Sequence, residues 1–140
     1  MQEITAFISN HPVLSIIAVI VFILVVIVEL MRTKQSNVRI APAQATQFIN
    51  HDNAVVIDIR PQDAYRKGHI IDAVSLSQQD MKDTPKKLEK YKIKPIILVC
   101  ATGVESQKIA TLLLKRGYNA YSLAGGMRAW DQADMPLVKE

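Results

Sequence analysis

The most apolar stretch of the chain lies near its N-terminus and contains no charged residue from Val13 to Val28. Leu30 and Met31 extend it past one acidic interruption, Glu29. At 1.5 Å per residue, about 18 residues of helix reach roughly 27 Å, close to the hydrocarbon thickness of a bilayer. The pattern predicts one membrane-spanning helix, with Glu29 at the membrane interface because its charge is costly in hydrocarbon.

A cleaved signal peptide is the alternative interpretation of this stretch. No basic segment precedes the apolar run and no small-x-small cleavage site follows it, so we expect a retained anchor. Arg32, Lys34 and Arg39 follow the run, whereas Glu3 and the α-amino group are the charges before it. The positive-inside rule then predicts a single-pass protein of a bacterial-type inner membrane, with its N-terminus outside and the following domain in the cytoplasm.

The rest of the chain alternates between two kinds of hydrophobic pattern. We divide the sequence into an anchor at residues 1–32, a short polar linker at 33–37 and a domain at 38–140. In the domain, short β-branched runs predict strands near 38–40, 54–59, 73–76, 96–99 and 120–123. Helical patterns predict helices near 43–50, 62–67, 85–91, 106–116 and 127–133. The predicted fold class is α/β, with a central parallel sheet flanked by helices on both sides and preceded by one transmembrane helix.

Glycine and proline support these helix boundaries. Gly68 and Gly117 each follow a helical pattern and are candidates for left-handed positions after a helix end. Pro85 suits a first helical turn, where its missing N–H has no intrahelical acceptor to lose.

Two features of the composition bear on function: the chain has one cysteine and a small excess of basic over acidic residues. The chain has 17 Lys and Arg residues against 13 Asp and Glu residues, and the whole excess lies in residues 38–140. A single cysteine excludes an internal disulfide and a Cys-rich zinc site, so Cys100 is either a small buried hydrophobe or chemically active. The reducing cytoplasm suits a free reactive thiol.

Cys100 stands at the end of a predicted buried strand, Ile96–Val99, with a tight loop and a helix directly behind it. In open α/β sheets, ligands bind beyond the carboxyl ends of the strands. Backbone N–H groups converge in such a loop, and the positive end of the helix dipole lies close by. We therefore expect the Cys100 pKa to be lowered and the sulfur to be held as a reactive thiolate.

Three separated blocks in the domain resemble the signatures of the rhodanese family. The first is Val56–Arg60 followed by Tyr65 and Gly68–Ile70, the second is Cys100–Ser106, and the third is Leu123–Trp130. Because the blocks occur in the family's order and span nearly the whole domain, residues 38–140 resemble a single rhodanese domain of the thiosulfate sulfurtransferase type.

The resemblance implies that Cys100 is catalytic and moves sulfane sulfur. The cysteine would accept sulfur from a donor such as thiosulfate or a persulfide, hold it as its own persulfide, and pass it to a thiol or cyanide acceptor. The binding loop would consist of Ala101, Thr102, Gly103, Val104, Glu105 and Ser106. Its N–H groups would stabilise the terminal sulfur, and Gly103 permits backbone conformations that a side chain disfavours. Neither a cofactor nor a metal ion is expected.

Glu105 departs from the family pattern, which often places arginine there. An inward carboxylate would repel an anionic donor and raise the pKa of Cys100. An outward carboxylate would favour the start of the following helix and do little else. The sequence leaves both orientations open, and with them the donor specificity.

Asp58 and Arg60 are assigned supporting roles, because two residues at alternate positions of a strand end can pair or cap neighbouring loop amides, and Asp58 is expected to support the loop Cys100–Ser106. Arg60 has a second interpretation as a cation for an anionic donor. His69 is interpreted as a hydrogen-bonded packing residue, and Tyr65 and Trp130 as core anchors.

Other functions are weighed against sulfur transfer. Tyrosine-phosphatase-type loops need arginine at the position of Ser106, so phosphatase activity is not expected. A non-enzymatic module that docks a membrane or a protein partner, such as a membrane protein, is the alternative function, and a thiol redox sensor is a further one. The six lysines of Lys82–Lys94 are either a solvated face or a surface for anionic headgroups. Nucleic-acid binding is not expected, because no binding motif occurs.

Overall fold

The computed structural model describes residues 1–83 and 86–140, and for residues 33–36 it describes the backbone only. These residues form two compact units, Met1–Ser36 and Asn37–Glu140. The helix start predicted at Pro85 lies outside the described residues.

The first unit consists of two helices, α1 (Gln2–Asn10) and α2 (Pro12–Ser36). Residues Pro12–Arg32 are long and apolar enough to cross a membrane, and no other helix of the described residues meets that test. None of these side chains is buried, whereas a core helix of a water-soluble protein would hide most of them. The backbone of α2 continues through residues 33–36, so most of the segment assigned to the linker is helical.

The second unit is built on a five-stranded parallel sheet with the order β1-β5-β4-β2-β3. The strands are β1 (Arg39–Ile40), β2 (Val55–Asp58), β3 (Val74–Ser75), β4 (Ile96–Val99) and β5 (Ala120–Leu123). The helices are α3 (Pro42–His51), α4 (Gln62–Lys67), α5 (Gln78–Asp83), α6 (Lys86–Glu89), α7 (Val104–Lys115) and α8 (Gly126–Gln132). Every predicted strand is confirmed to within two residues, and the α/β class with a parallel sheet is confirmed.

Helix α5 was not predicted from the sequence. Its start is a capping box, in which the Asp80 N–H donates to Ser77 Oγ over 3.1 Å. The Asp80 carboxylate in turn accepts the Ser77 N–H over 3.2 Å. Because Met81 is completely buried, the short helix is stabilised by packing as well as by its cap.

The two glycine predictions have different outcomes. Gly117 has a φ of 89°, and the Tyr118 N–H closes the end of α7 by donating to the Leu113 carbonyl over 3.0 Å. Gly68 has a φ of 163°, which is extended backbone that any residue adopts. The prediction of a left-handed cap at Gly68 is therefore wrong.

Helices cover both faces of the sheet and create two hydrophobic cores. Along β4, Ile96 and Leu98 point to the core that contains α7, while Ile97 and Val99 point to the core that contains α8. This two-sided burial explains why β4 reads as a continuous apolar run. The interpretation of Tyr65 and Trp130 as core anchors is confirmed, since both side chains are buried in the α8 core.

Candidate active site

Cys100 lies directly after β4, at the carboxyl edge of the sheet, and only 7% of its surface is exposed. Strand β4 is the central strand of the five, with β5 and β2 on either side. Because all three strands are parallel, their following loops meet around the cysteine. The strand order thus places the thiol where ligands bind in this class of sheet.

The sulfur of Cys100 is surrounded by hydrogen-bond donors from the next six residues. The Gly103 N–H donates to Sγ over 3.0 Å, and the Ser106 N–H donates over 3.5 Å. The Ser106 hydroxyl lies 3.3 Å from the same sulfur atom. Ser106 belongs to the first turn of α7, so the positive end of that helix dipole also faces the sulfur.

These donors decide the ionisation of the thiol. Burial raises the pKa of Cys100, but the Ser106 hydroxyl and the N–H groups of Ser106, Thr102 and Gly103 lower it by a larger total amount. The net result is a Cys100 pKa below the ordinary thiol value, as the sequence predicted. The thiolate is the form that attacks sulfur.

Ser106 is itself held by a second buried hydroxyl. Its Oγ lies 2.7 Å from Oγ of Ser122 on β5, and both serines are fully buried. When Ser106 donates its proton to the thiolate, Ser122 donates its own proton to Ser106 Oγ, and the Gly103 carbonyl oxygen, 3.5 Å from Ser122 Oγ, is the alternative acceptor. The two hydroxyls therefore connect the loop to the neighbouring strand and orient Ser106 towards the sulfur.

The other side of the cysteine is held by the start of α8. The Met127 N–H donates to the Cys100 carbonyl over 2.9 Å, and the Arg128 N–H donates to the Ala101 carbonyl over 3.2 Å. This approach is possible because Gly126, with a φ of 59°, has no side chain. A Cβ at this position would overlap the Cys100 carbonyl oxygen and the Ala101 peptide.

Within the predicted loop, Gly103 and Ser106 face inward and are buried, while Ala101, Thr102 and Val104 are exposed. Gly103 has a φ of 88°, the left-handed conformation that the tight turn requires. Glu105 Oε1 lies 3.5 Å from Lys108 Nζ, and the carboxylate side chain is 48% exposed. The structure therefore favours the outward orientation of Glu105, away from the sulfur.

Asp58 and Arg60 form a buried ion pair at the end of β2. Arg60 Nη2 lies 2.7 Å from Asp58 Oδ2, and the arginine side chain is only 12% exposed. The same nitrogen donates to the Gly68 carbonyl over 2.7 Å. The pair thus holds the segment between β2 and residue 68, and its hydrogen bonds do not reach the loop that follows Cys100.

An open cleft of about 340 Å³ lies beside the cysteine loop, with Ala101 in its wall. Arg60, Lys67 and Arg128 bring three cationic side chains to the cleft, and Asp131 brings one carboxylate. Among the residues that the structure describes, Lys67 and Arg128 have no ion-pair partner. The cleft therefore carries net positive charge next to Cys100.

Sequence reasoning missed four residues of this site. Ser122 is a polar residue at a buried strand position, which was a detectable signal. Gly126 lies within the third block that resembles the family, Leu123–Trp130, but the sequence predicted no role for it in the site. Lys67 and Arg128 carried no signal, because only the fold brings α4 and α8 to the same cleft.

The hydrogen bonds to Cys100 lead to a prediction about its pKa. Ser106→Ala removes the hydroxyl donor, and a hydrogen bond to a charged group is worth about 1.5–3 kcal/mol. We expect the midpoint of the alkylation rate to move to higher pH by about one unit or more, since about 1.4 kcal/mol corresponds to one pKa unit. Thr102→Ala is the control, since only the backbone N–H of Thr102 acts on the sulfur. A folded Ser106→Ala variant with an unchanged midpoint would contradict the assignment.

Comparison with known proteins agrees with this architecture. The model of the rhodanese-like domain family matches residues 41–133. The uncharacterised protein YibN of Escherichia coli K12 is 38% identical over 142 positions, covering 99% of each chain. The thiosulfate sulfurtransferase GlpE of Coxiella burnetii is 32% identical over 93 positions, covering 66% of this chain and 85% of the relative.

Solved structures share the fold. A rhodanese-related protein from Thermoplasma volcanium superposes with a TM-score of 0.66 at 24% identity, covering 73% of this chain and 98% of that one. The match of the family model spans most of the domain, from the residue before α3 to the residue after α8. The chain therefore belongs to the rhodanese-like domain family, whose parallel sheet and cysteine-centred loop it shares.

Proposed function

We propose that this protein is a membrane-anchored sulfurtransferase that carries sulfane sulfur as a persulfide on Cys100. The observation that carries the proposal is the set of donors around one sulfur atom, namely the N–H groups of Gly103 and Ser106 and the Ser106 hydroxyl. Membership of the rhodanese-like family and likeness to a thiosulfate sulfurtransferase support the same reaction class.

The reaction divides into two displacements at sulfur. The Cys100 thiolate attacks the outer sulfur of thiosulfate, a new S–S bond forms, and sulfite leaves with the electron pair of the broken S–S bond. A cyanide ion or a thiolate then attacks the outer sulfur of the Cys100 persulfide. Thiocyanate or a new persulfide departs, and the Cys100 thiolate is regenerated with its electron pair.

The start of α7 can stabilise the persulfide as well as the thiolate. Val104 and Glu105 are the first two residues of the helix, so their N–H groups have no intrahelical acceptor. A terminal sulfur added to Cys100 would bring negative charge close to this helix start, because the Ser106 N–H of the same first turn already lies 3.5 Å from Sγ. N–H groups already held in place by a helix stabilise such charge without reorganising during the reaction.

Positive charge for an anionic donor comes from the cleft rather than from the loop. The loop contains no cation, and its one charged residue, Glu105, is paired with Lys108 in solvent. Lys67 and Arg128 face the cleft wall that includes Ala101, the residue after the nucleophile. They are the groups suited to attract thiosulfate or another anionic sulfur donor to Cys100.

Membrane anchoring is the second part of the proposal. The exposed apolar helix Pro12–Arg32 supports a retained anchor. Arg32, Lys34 and Arg39 after the helix support a cytoplasmic domain in a bacterial-type inner membrane, where a free thiol persists.

The persulfide is directly testable on full-length protein purified in detergent. After exposure to thiosulfate, mass spectrometry is expected to show the mass of one added sulfur atom on the peptide that contains Cys100. Cyanide should remove that mass and release thiocyanate, and Cys100→Ser should show neither change. An unmodified Cys100 with both thiosulfate and a small persulfide donor would favour the non-enzymatic docking module instead.

Charge-reversal variants test whether the cationic side chains of the cleft attract an anionic sulfur donor. Lys67→Glu combined with Arg128→Glu is expected to lower kcat/KM for thiosulfate about tenfold at low salt, since a loss of about 1.4 kcal/mol corresponds to that factor. The effect should shrink as salt rises. Lys86→Glu with Lys90→Glu makes the same charge change at residues that line a different cavity, and should have little effect. Glu105→Gln should change kcat/KM less than about threefold, because an exposed ion pair contributes little. Equal losses in both double variants would contradict the cleft assignment.

Anchoring is tested by fractionation. Full-length protein should stay in membranes through an alkaline carbonate wash, whereas the chain without residues 1–32 should be soluble and unfold cooperatively, because residues 37–140 contain both cores. Proteases should reach the C-terminus in inverted membrane vesicles and not in intact spheroplasts. Release by carbonate would overturn the spanning helix, and digestion in spheroplasts would overturn the orientation.

A further inference from the structure

The parallel sheet separates two edges of the domain. All strand pairs are parallel, so the amino ends of the strands lie at one edge and the carboxyl ends at the other. The chain enters the domain at Asn37 and Val38, directly before β1, and therefore at the amino edge. Cys100 follows β4 at the carboxyl edge, and the four residues of β4 alone span about 13 Å at 3.3 Å per residue.

The turn before β4 presents an isoleucine to solvent at the amino edge. Ile93 is 92% exposed, more than any other large apolar side chain described in residues 37–140. The turn is closed by backbone hydrogen bonds, including one of 3.0 Å from the Lys94 N–H to the Tyr91 carbonyl. Lys92 and Lys94 flank the isoleucine and are exposed as well. An ordered turn thus holds an apolar side chain outward between two cations.

The turn before β5 adds further positive charge beside it. Lys92 Nζ lies 5.6 Å from the ring of Tyr118, so the two turns are neighbours, as their strands are. Lys115 and Arg116 are exposed where α7 returns to this edge. Residues 90–95 and 115–119 contain five basic residues and no acidic one. Asp52 and Asp72 precede β2 and β3 at the same edge, and Asp72 lines one cavity with Lys94, so a carboxylate lies on the β2 side of the basic turns.

From this placement we infer that the amino-edge patch, defined as Lys92, Ile93, Lys94, Lys115 and Arg116, binds the anionic lipid headgroups of the membrane to which the chain is anchored. The lysines and the arginine suit lipid phosphates, and an isoleucine between them suits the boundary with the acyl chains. The inference rests on the proposed anchoring: the chain that follows the anchor enters the domain at the same edge, and this tether would raise the effective concentration of the patch at the membrane surface.

This orientation has a consequence for the chemistry. With the amino edge on the membrane, the carboxyl edge with Cys100 and the positive cleft faces the aqueous phase. The sulfur donor and acceptor are then water-soluble molecules or partners that approach from the aqueous side, rather than molecules that diffuse in the bilayer.

A single fluorescent probe can test the orientation, because the chain has only one cysteine. In a Cys100→Ser background, Ile93→Cys and Val104→Cys place the probe on an exposed apolar position of the amino and carboxyl edge, respectively. The full chain is reconstituted into vesicles of phosphatidylcholine alone or of an equal mixture with phosphatidylglycerol. At position 93 we expect blue-shifted emission and severalfold weaker acrylamide quenching in the anionic vesicles, both reversed by high salt. At position 104 we expect neither change.

Matched charge variants show whether the lysines carry the binding. Lys92→Gln with Lys94→Gln should abolish the blue shift at position 93, whereas Lys108→Gln with Lys139→Gln, which removes the same charge elsewhere, should preserve it. Identical emission at positions 93 and 104 in anionic vesicles would overturn the inference. So would an equal shift in both kinds of vesicle, or a shift that disappears when fewer chains are present per vesicle, which indicates a second copy.

Different experimental results would refute this inference and the proposed function. Chains that float with the vesicles but show no shift at position 93 refute the amino-edge patch alone. Chains that do not float refute the anchor and the patch together. Sulfur transfer is measured separately on the unlabelled chain with Cys100 intact, so its loss or retention is independent of either probe result.

Discussion

The peptide that joins Cys100 to Ala101 is held between two helix N-termini, and the rest of the site depends on this arrangement. On one side, the start of α7 presents N–H groups and a hydroxyl to the sulfur. On the other side, the start of α8 donates N–H groups to the Cys100 and Ala101 carbonyls. A side chain at Gly126 would collide with this peptide. The close contact between the start of α8 and the cysteine loop therefore requires glycine at this position.

The reactivity of the thiol follows from donors that are fixed before any substrate arrives. Burial alone would raise the pKa of Cys100, and the hydrogen bonds reverse the sign because they favour the charged form. The Ser106 hydroxyl can act in this way because Ser122 holds it from the neighbouring strand. Among the described residues, no buried side-chain nitrogen or oxygen lacks a hydrogen-bond partner, so this polar network is complete.

The parallel topology also separates two sets of residues at opposite edges of the sheet. It collects the thiol, the α7 and α8 N-termini and the positive cleft at the carboxyl edge. The same topology places the chain entry and the basic turns with Ile93 at the opposite edge. Cys100 and the amino-edge patch therefore lie at opposite edges of the sheet, so a substitution in the surface turns leaves the hydrogen bonds around the sulfur in place.

The sequence by itself determined the apolar N-terminal helix, the βα alternation, the five strands and the cysteine at the end of the central one. Each of these features depends on a local pattern, namely the spacing of apolar residues over a few helical turns or along one strand. The short helix α5 was not predicted, because its sequence signal is a four-residue capping box rather than a periodic apolar face. Gly68 was misjudged because a glycine after a helix permits a left-handed conformation without requiring one.

Only the tertiary structure decided how distant side chains meet. In the folded domain, Glu105 lies near Lys108, and Arg60 binds Asp58 and the Gly68 carbonyl. Lys67 and Arg128 line the same cleft. The fold also joins Ser106 to Ser122, sixteen residues apart in the chain. These contacts depend on strand order and on helix packing across the sheet. Local spacing carries no information about either, because both are set by which apolar faces bury one another.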